Sequence, residues 1–280
     1  MWVAGNKKKK RNIAASNDDE DLTTQTEARR QGLVSLEDFL LPWIVPASSI
    51  GNGSGYGADW GYVGVGTSFI SRTTPRGKRA DGAVSLTGGF GDARKVVGFE
   101  LNLAMLRLDH LFSVVLLNLK IHKTFESGLG MAFGLDNFAR IGKTFGGNTV
   151  TLSLSKAIPL KRGRGNSWFS MIVLHGGGKI TQENPSQDNL AIHTTPFVFA
   201  TFALRVRDPL MCIVEWDGSA LHAGISIAPF RTFPLVLSFS GVKLYPDRQD
   251  SAFLLTFGYG DSVRSDNFPL NAAGGIRAGF

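Results

Sequence analysis

From Trp60 onward the chain alternates apolar and small or polar residues with a period of two, run after run, and this pattern constrains the fold more than any other feature. The clearest run sets Val97, Phe99, Leu101, Leu103 and Met105 against Gly98, Glu100, Asn102 and Ala104. The next sets Val115, Leu117, Leu119 and Ile121 against Asn118, Lys120 and His122. Successive side chains on a strand point to opposite faces, so each run reads as a strand with one apolar face. Later runs repeat the pattern around Val63, Val84, Leu129, Val150, Met171, Val198, Val214, Ile225, Leu237 and Leu255. In the seventh, Phe169, Met171 and Val173 are the expected apolar face.

The count comes to about twelve strands, an even number as a single-chain membrane barrel needs. Apolar faces four or five residues long suit strands of about ten residues. An open sheet of this size would leave two unpaired edges, and closure removes both. The predicted fold is therefore all-β, an antiparallel up-and-down barrel of outer-membrane type over residues 56–280. Glycines on the inward face (Gly64, Gly66, Gly98, Gly130, Gly134) give the strands room to coil. Turns are expected at Asp81-Gly82, Gly91-Asp92, Gly146 to Asn148, Asp217-Gly218 and Pro246-Asp247. Longer loops are expected at 72–80, 136–147, 156–166 and 176–194.

Residues 1–55 read as a flexible charged arm outside the barrel. Lys7 to Arg11 form a basic block, answered by Asp18, Asp19, Glu20 and Asp21. Ser35 and Asp38 suggest a capping box for one short helix over 33–45, packed on a barrel rim. A Gly/Ser linker follows at 50–59. The net charge of +7 is dispersed, and neither this block nor the second basic cluster, Lys161, Arg162 and Arg164, lies in a nucleic-acid module, so nucleic acid is disfavoured as a partner. No apolar run of 18 residues is present, and no apolar segment follows the basic start. An export signal would have to lie upstream of Met1 or have been removed. Its lack within the chain keeps a second reading open, a soluble non-enzymatic sandwich or barrel that recruits an acidic partner through its basic arm.

Three segments carry a resemblance: YGADWGYVGVGTSF at 56–69, DGAVSLTGGFGDARKVVGFEL at 81–101, and CIVEWDGSALHAGISIAPFRTFPLVLS at 212–238. The last holds Trp216, Gly218, Leu221, Gly224, Ser226, Pro229, Phe230, Arg231, Pro234 and Leu235 in a "WxGxxLxxGxSxxPFRxxPL" pattern. Together they resemble a family of uncharacterised cyanobacterial outer-membrane β-barrel proteins, over about residues 56–260. The resemblance implies a bacterial outer-membrane barrel and no particular activity. This chain departs from the family by continuing past FGYG at 257–260 to a terminal Phe280, where 274–280 could form or extend a last strand.

No catalytic, metal or cofactor motif stands out, and no cofactor is expected. Asp109 and His110 adjoin, but neighbours on a strand face opposite ways. His122, His175, His193 and His222 lack metal-ligand spacing. His222 and Ser226 share a face but sit four apart, too far for the pair a barrel hydrolase would want. GGFG at 88–91 and HGGGK at 175–179 read as turns, since no helix follows to hold an anion. Single Cys212 allows no internal disulfide. The charges Glu100, Lys120, Arg205, Arg207, Glu215 and Asp217 fall on inward faces and are expected to line the lumen. They serve either as an ion-pair network filling a narrow lumen or as a filter for small ions. Trp43, Trp60, Tyr62, Trp168, Trp216 and Tyr259 lie near strand ends and suit aromatic girdles. The expected function is that of an integral outer-membrane barrel in membrane lipid, a passive porin or a structural envelope protein.

Overall fold

A computed structural model describes residues 45–72, 80–108, 112–142, 147–160, 168–182, 194–230, 233–245 and 251–262. All belong to one compact unit, Leu40–Phe280. Twelve strands form it: β1 (Tyr62–Ile70), β2 (Asp81–Gly91), β3 (Gly98–Leu106), β4 (Val114–Thr124), β5 (Leu129–Ile141), β6 (Asn148–Pro159), β7 (Met171–Gln182), β8 (Thr194–Arg207), β9 (Leu210–Trp216), β10 (Leu221–Ile227), β11 (Leu235–Tyr245) and β12 (Ala252–Ser262). Each pairs antiparallel with its sequence neighbours, and β1 pairs with β12, so the sheet closes into an up-and-down barrel.

The alternation sets the faces. On β1, Val63, Val65 and Phe69 are exposed while Tyr62, Gly64, Gly66 and Ser68 are buried. On β6, Val150, Leu152 and Leu154 point out and Thr151, Ser153 and Ser155 point in. The expected apolar face of β7 is reversed: Met171 and Val173 are buried, and the outward residues are Ile172 and Leu174. Phe169 lies before the strand, at a positive φ of 56°, so it cannot continue the same face.

Several expected turns and loops prove to be strand. Asp81 and Gly82 open β2, and β5 runs through residue 141. The glycines 176–178 sit inside β7, paired to β6 and β8 throughout. A side chain on Gly177 would meet the Phe199 ring at 2.7 Å, so the bare backbone leaves room for that inward ring. In GGFG only Gly91 has a positive φ, 78°, where β2 ends. The turns at 91–92 and 217–218 are found as expected, with Gly218 at φ 101°.

Strand ends define two rims. The first rim holds the start of β1, the end of β12 and the facing ends of β2 and β3, β4 and β5, β6 and β7, β8 and β9, and β10 and β11. The opposite rim holds the facing ends of β1 and β2, β3 and β4, β5 and β6, β7 and β8, β9 and β10, and β11 and β12. Among the expected girdle residues, Trp60, Trp168, Trp216 and Tyr259 are exposed, whereas Tyr62 is buried on the lumenal face. The charge blocks, the expected helix at 33–45, Trp43, the Asp109-His110 pair, His193, the Pro246-Asp247 turn and the tail at 274–280 lie outside the described residues.

The closing seam depends on a close approach. Gly64 of β1 faces Gly260 of β12, and Tyr62 lies over both. A Cβ on Gly260 would stand 2.1 Å from the Tyr62 hydroxyl, and one on Gly64 2.7 Å from it. Gly260→Val should therefore weaken closure by about 1–3 kcal/mol, as overpacking does elsewhere. Equilibrium unfolding checks this, and adding Tyr62→Ala should recover part of the loss if the clash is with that ring.

Candidate functional site

Twelve strands enclose more space than short inward side chains fill, since about eight already suffice for a side-chain-packed interior. Here much of the inner wall is Gly, Ser and Thr, including Ser68, Ser85, Thr151, Ser153, Ser155, Thr201, Ser226 and Ser240. The remaining space is taken by the chain itself. Residues 45–59, which the sequence pattern assigned partly to the arm and partly to a linker, run inside the barrel.

The segment enters at the first rim. Ala47 N–H donates to Ser226 Oγ at 2.8 Å, and Ala47 packs with Ala228 and Val236. It then follows the inner wall against strand order, with one step out of line at Ser48. The Ser48 hydroxyl meets His175 Nε2 at 2.9 Å on β7. Further on it reaches Glu215, the last residue but one of β9. Gly55 N–H donates to Ser155 Oγ of β6 at 2.7 Å. The Tyr56 hydroxyl donates to Gly128 O at 2.6 Å and accepts from Ala157 N–H at 2.9 Å. Ala58 N–H reaches Glu100 of β3, and Asp59 Oδ1 accepts Ala93 N–H at 2.8 Å. Trp60 N–H bonds Gly91 O, and β1 begins. Both ends of the segment thus lie at the first rim, and its apex, Gly51, is exposed within the lumen.

Glu215 is the central anchor. Its side chain is 1% exposed. One carboxylate oxygen accepts the Ser49 hydroxyl at 2.7 Å, Ile50 N–H at 2.9 Å and the Thr201 hydroxyl at 3.1 Å. The other accepts Gly51 N–H at 2.7 Å and Asn52 N–H at 2.9 Å. Three successive backbone N–H groups converging on one anion form a nest, the arrangement that binds carboxylates and phosphates elsewhere. The Asn52 amide extends the grip to Thr201 Oγ1 at 3.1 Å and Trp216 O at 2.9 Å. A second anchor is the Glu100–Lys120 pair, directly opposed on β3 and β4 and 2.9 Å apart. Glu100 accepts Ala58 N–H at 2.9 Å, and Lys120 donates to Tyr56 O at 3.0 Å. A third is His122, 3.2 Å from Asp59.

Of the six charges expected to line the lumen, Glu100, Lys120 and Glu215 hold this segment. Arg205 is buried, and its guanidinium donates to Asp208 O, bracing the β8–β9 turn. Past a register shift between Arg205 and Arg207, Arg207 stacks 4.0 Å over the Trp168 ring at the first rim. Asp217 lies in the β9–β10 turn, accepting Ser219 N–H, the Ser219 hydroxyl and Ala220 N–H. His222 Nε2 is 3.2 Å from Asp217, while Ser226 bonds Ala47 and Ser238, so the two groups weighed as a hydrolase pair are engaged elsewhere. Among the described residues no group of three or more His, Cys, Asp or Glu is placed to hold a metal. His175 meets the Ser155 hydroxyl through Nδ1 at 2.6 Å and the Ser48 hydroxyl through Nε2 at 2.9 Å, so both ring nitrogens have hydroxyl partners.

Sequence reading missed Ser48, Ser49, Asn52, Ser54, Tyr56 and Asp59, because a stretch rich in Gly and Ser also describes a solvated linker. The available signal lay on the wall: inward faces too small to fill the interior they enclose.

Two outcomes follow from these contacts. Glu215→Ala removes the acceptor for Ile50, Gly51 and Asn52, and each orphaned N–H costs about 1–3 kcal/mol. Hydrogen exchange should then show loss of protection at those amides while the strands stay protected. For Asp217, partial burial alone would raise the carboxyl, but His222 and the bonds from Ala220 and Ser219 outweigh it and hold it below the usual carboxylate range. A folded-state pKa below the unfolded value of about 3.9 contributes stability that is present above that pH and lost as pH falls towards the folded value. Asp217→Asn should therefore lower stability at neutral pH and flatten the acid limb of a stability–pH curve.

No protein-family model and no curated protein matches this chain.

Proposed function

We propose that this chain is an integral membrane β-barrel of outer-membrane type, closed by its own residues 45–59, which passes small solutes only when that segment leaves the lumen. The observation that carries the reading is the polarity of the wall. Every strand except β4 bears exposed large apolar residues on its outward face, among them Val65, Leu86, Phe133, Leu152, Val198 and Phe202. On β4 the outward Val115, Leu117, Leu119 and Ile121 are half-buried. The buried inward face mixes serines, threonines, three histidines and charged groups with alanines and larger apolar residues such as Phe199, Met211, Ile213 and Leu254. A water-soluble barrel has the reverse polarity, and soluble monomers rarely expose contiguous apolar patches beyond a few hundred Å². An apolar outer face around an interior that carries many hydrogen-bonding groups is the distribution a bilayer favours.

The first rim adds support. Trp60 packs on Phe90, and Phe233 bridges Phe230 and Tyr259, with ring centroids 5.1–6.0 Å apart. Amphipathic rings of this kind settle at the headgroup level. The resemblance to cyanobacterial outer-membrane proteins points the same way. The expectation of a passive, open porin is narrowed by the seated segment, whose bonds cross the lumen from β10 to β2.

Leu152, 55% exposed at mid-strand, separates the membrane reading from a soluble module. In lipid, Leu152→Arg should cost about 2–4 kcal/mol. On a soluble surface the same change stays within about 0.5 kcal/mol. Unfolding titrations in phospholipid vesicles read the difference. Recovery of the native chain in the aqueous phase without detergent would overturn the proposal.

A further inference from the structure

We infer that Glu215 determines the selectivity of the open lumen, so that the barrel passes cations in preference to anions once residues 45–59 withdraw. This rests on the reading of the barrel as a channel closed by that segment.

The inference follows from which wall groups lose partners. Withdrawal of the segment removes Ala58 from Glu100 and Tyr56 O from Lys120, but those two side chains keep each other at 2.9 Å. Their charges stay compensated. Arg205 keeps the Asp208 carbonyl, and Asp217 keeps its own turn. Glu215 differs. Four of its five donors (Ser49 Oγ, Ile50 N, Gly51 N, Asn52 N) belong to the segment, and only the Thr201 hydroxyl belongs to the wall. An opened lumen therefore bares this carboxylate.

Its surroundings leave it electrically dominant at that level. The residues paired with it are Thr201 on β8 and His222 on β10, and Thr201 is paired in turn with His175. The nearest inward cations along those strands are Arg205, four residues from Thr201, and Lys179, four from His175 and over the Phe197 ring. Four residues of strand span about 13 Å. The screening length at physiological ionic strength is about 8 Å. At the level of Glu215 a mobile ion therefore feels that carboxylate more strongly than either cation. A bared carboxylate favours cations, as acidic rings do in cation channels. The closed state has the same chemistry, since the N–H nest supplies the positive partner that a cation supplies when the lumen is open.

The test uses the full chain in planar bilayers. Ile50→Pro with Asn52→Pro deletes two of the N–H donors and should open the lumen. Under a KCl gradient the reversal potential should shift towards that of potassium. Adding Glu215→Gln should abolish that shift while conductance persists, and Glu215→Asp should retain it. If the proline pair fails to give a folded barrel by strand circular dichroism, Ser49→Ala with Asn52→Ala removes side-chain bonds of the same anchor and is used instead. A conducting variant that is anion-selective, or whose selectivity ignores Glu215→Gln, overturns the inference and leaves the channel intact. A folded, loosened variant that never conducts overturns the channel reading and the inference with it.

Discussion

The volume inside a closed sheet is the constraint on which the rest of this molecule depends. Strand number sets the circumference, and twelve strands surround more space than glycine, serine and threonine occupy. Water in that space would leave a channel, and larger side chains would make a packed core. This chain does neither along the path of residues 45–59. It lays a second layer of backbone against the wall, and the small inward residues are what let that layer approach. A Cβ on Gly130 would meet the Tyr56 ring at 2.5 Å, and one on Gly98 would meet His122 and Asp59 at 2.4 Å.

The layer is held by polar contacts rather than apolar ones. The described apolar clusters are small: Ala47 with Ala228 and Val236 at its entry, and Ala104, Val114 and Leu116 on the wall. Buried polar networks stabilise when every member is satisfied and fail together when one is lost. The Glu215 nest has that character, because removing its carboxylate strands several donors at once. Yet the same groups are ones that water satisfies well. A segment held this way can be seated firmly and still leave behind a wall that tolerates solvent, which an apolar plug could not.

Strand count, order of the faces and closure were legible in the sequence because a period of two survives wherever one face meets a uniform environment. Eleven runs kept their expected orientation. The seventh failed because Met171 and Val173 are apolar yet inward, and Phe169 was read as part of their face. The loop expected at 176–194 was begun too early because three successive glycines look like a turn, while in the barrel they pair as strand and make room for Phe199. Half of the candidate site was visible as well: Glu100, Lys120 and Glu215 were found from their inward positions. Their partners were not, since hydrogen bonds between residues 42 to 166 apart leave no local periodicity. Ser49 and Glu215 are 166 residues apart.

That separation has an order to it. Along the segment, contacts to the wall are separated by 34 residues at Asp59–Ala93, 42 at Ala58–Glu100, 100 at Gly55–Ser155, 166 at Ser49–Glu215 and 179 at Ala47–Ser226, with Ser48–His175 at 127 out of order. With that one exception, each step back along the segment reaches a strand made later in the chain. Loop-closure entropy grows with the length closed, so the contacts beside β1 form at the least cost and the entry contact at the greatest. The segment can thus be laid down like a zip, tooth by tooth, as successive hairpins join the wall. Its last tooth closes only when β10 and β11 are in place, which makes a seated Ala47 a sign that the barrel is nearly complete.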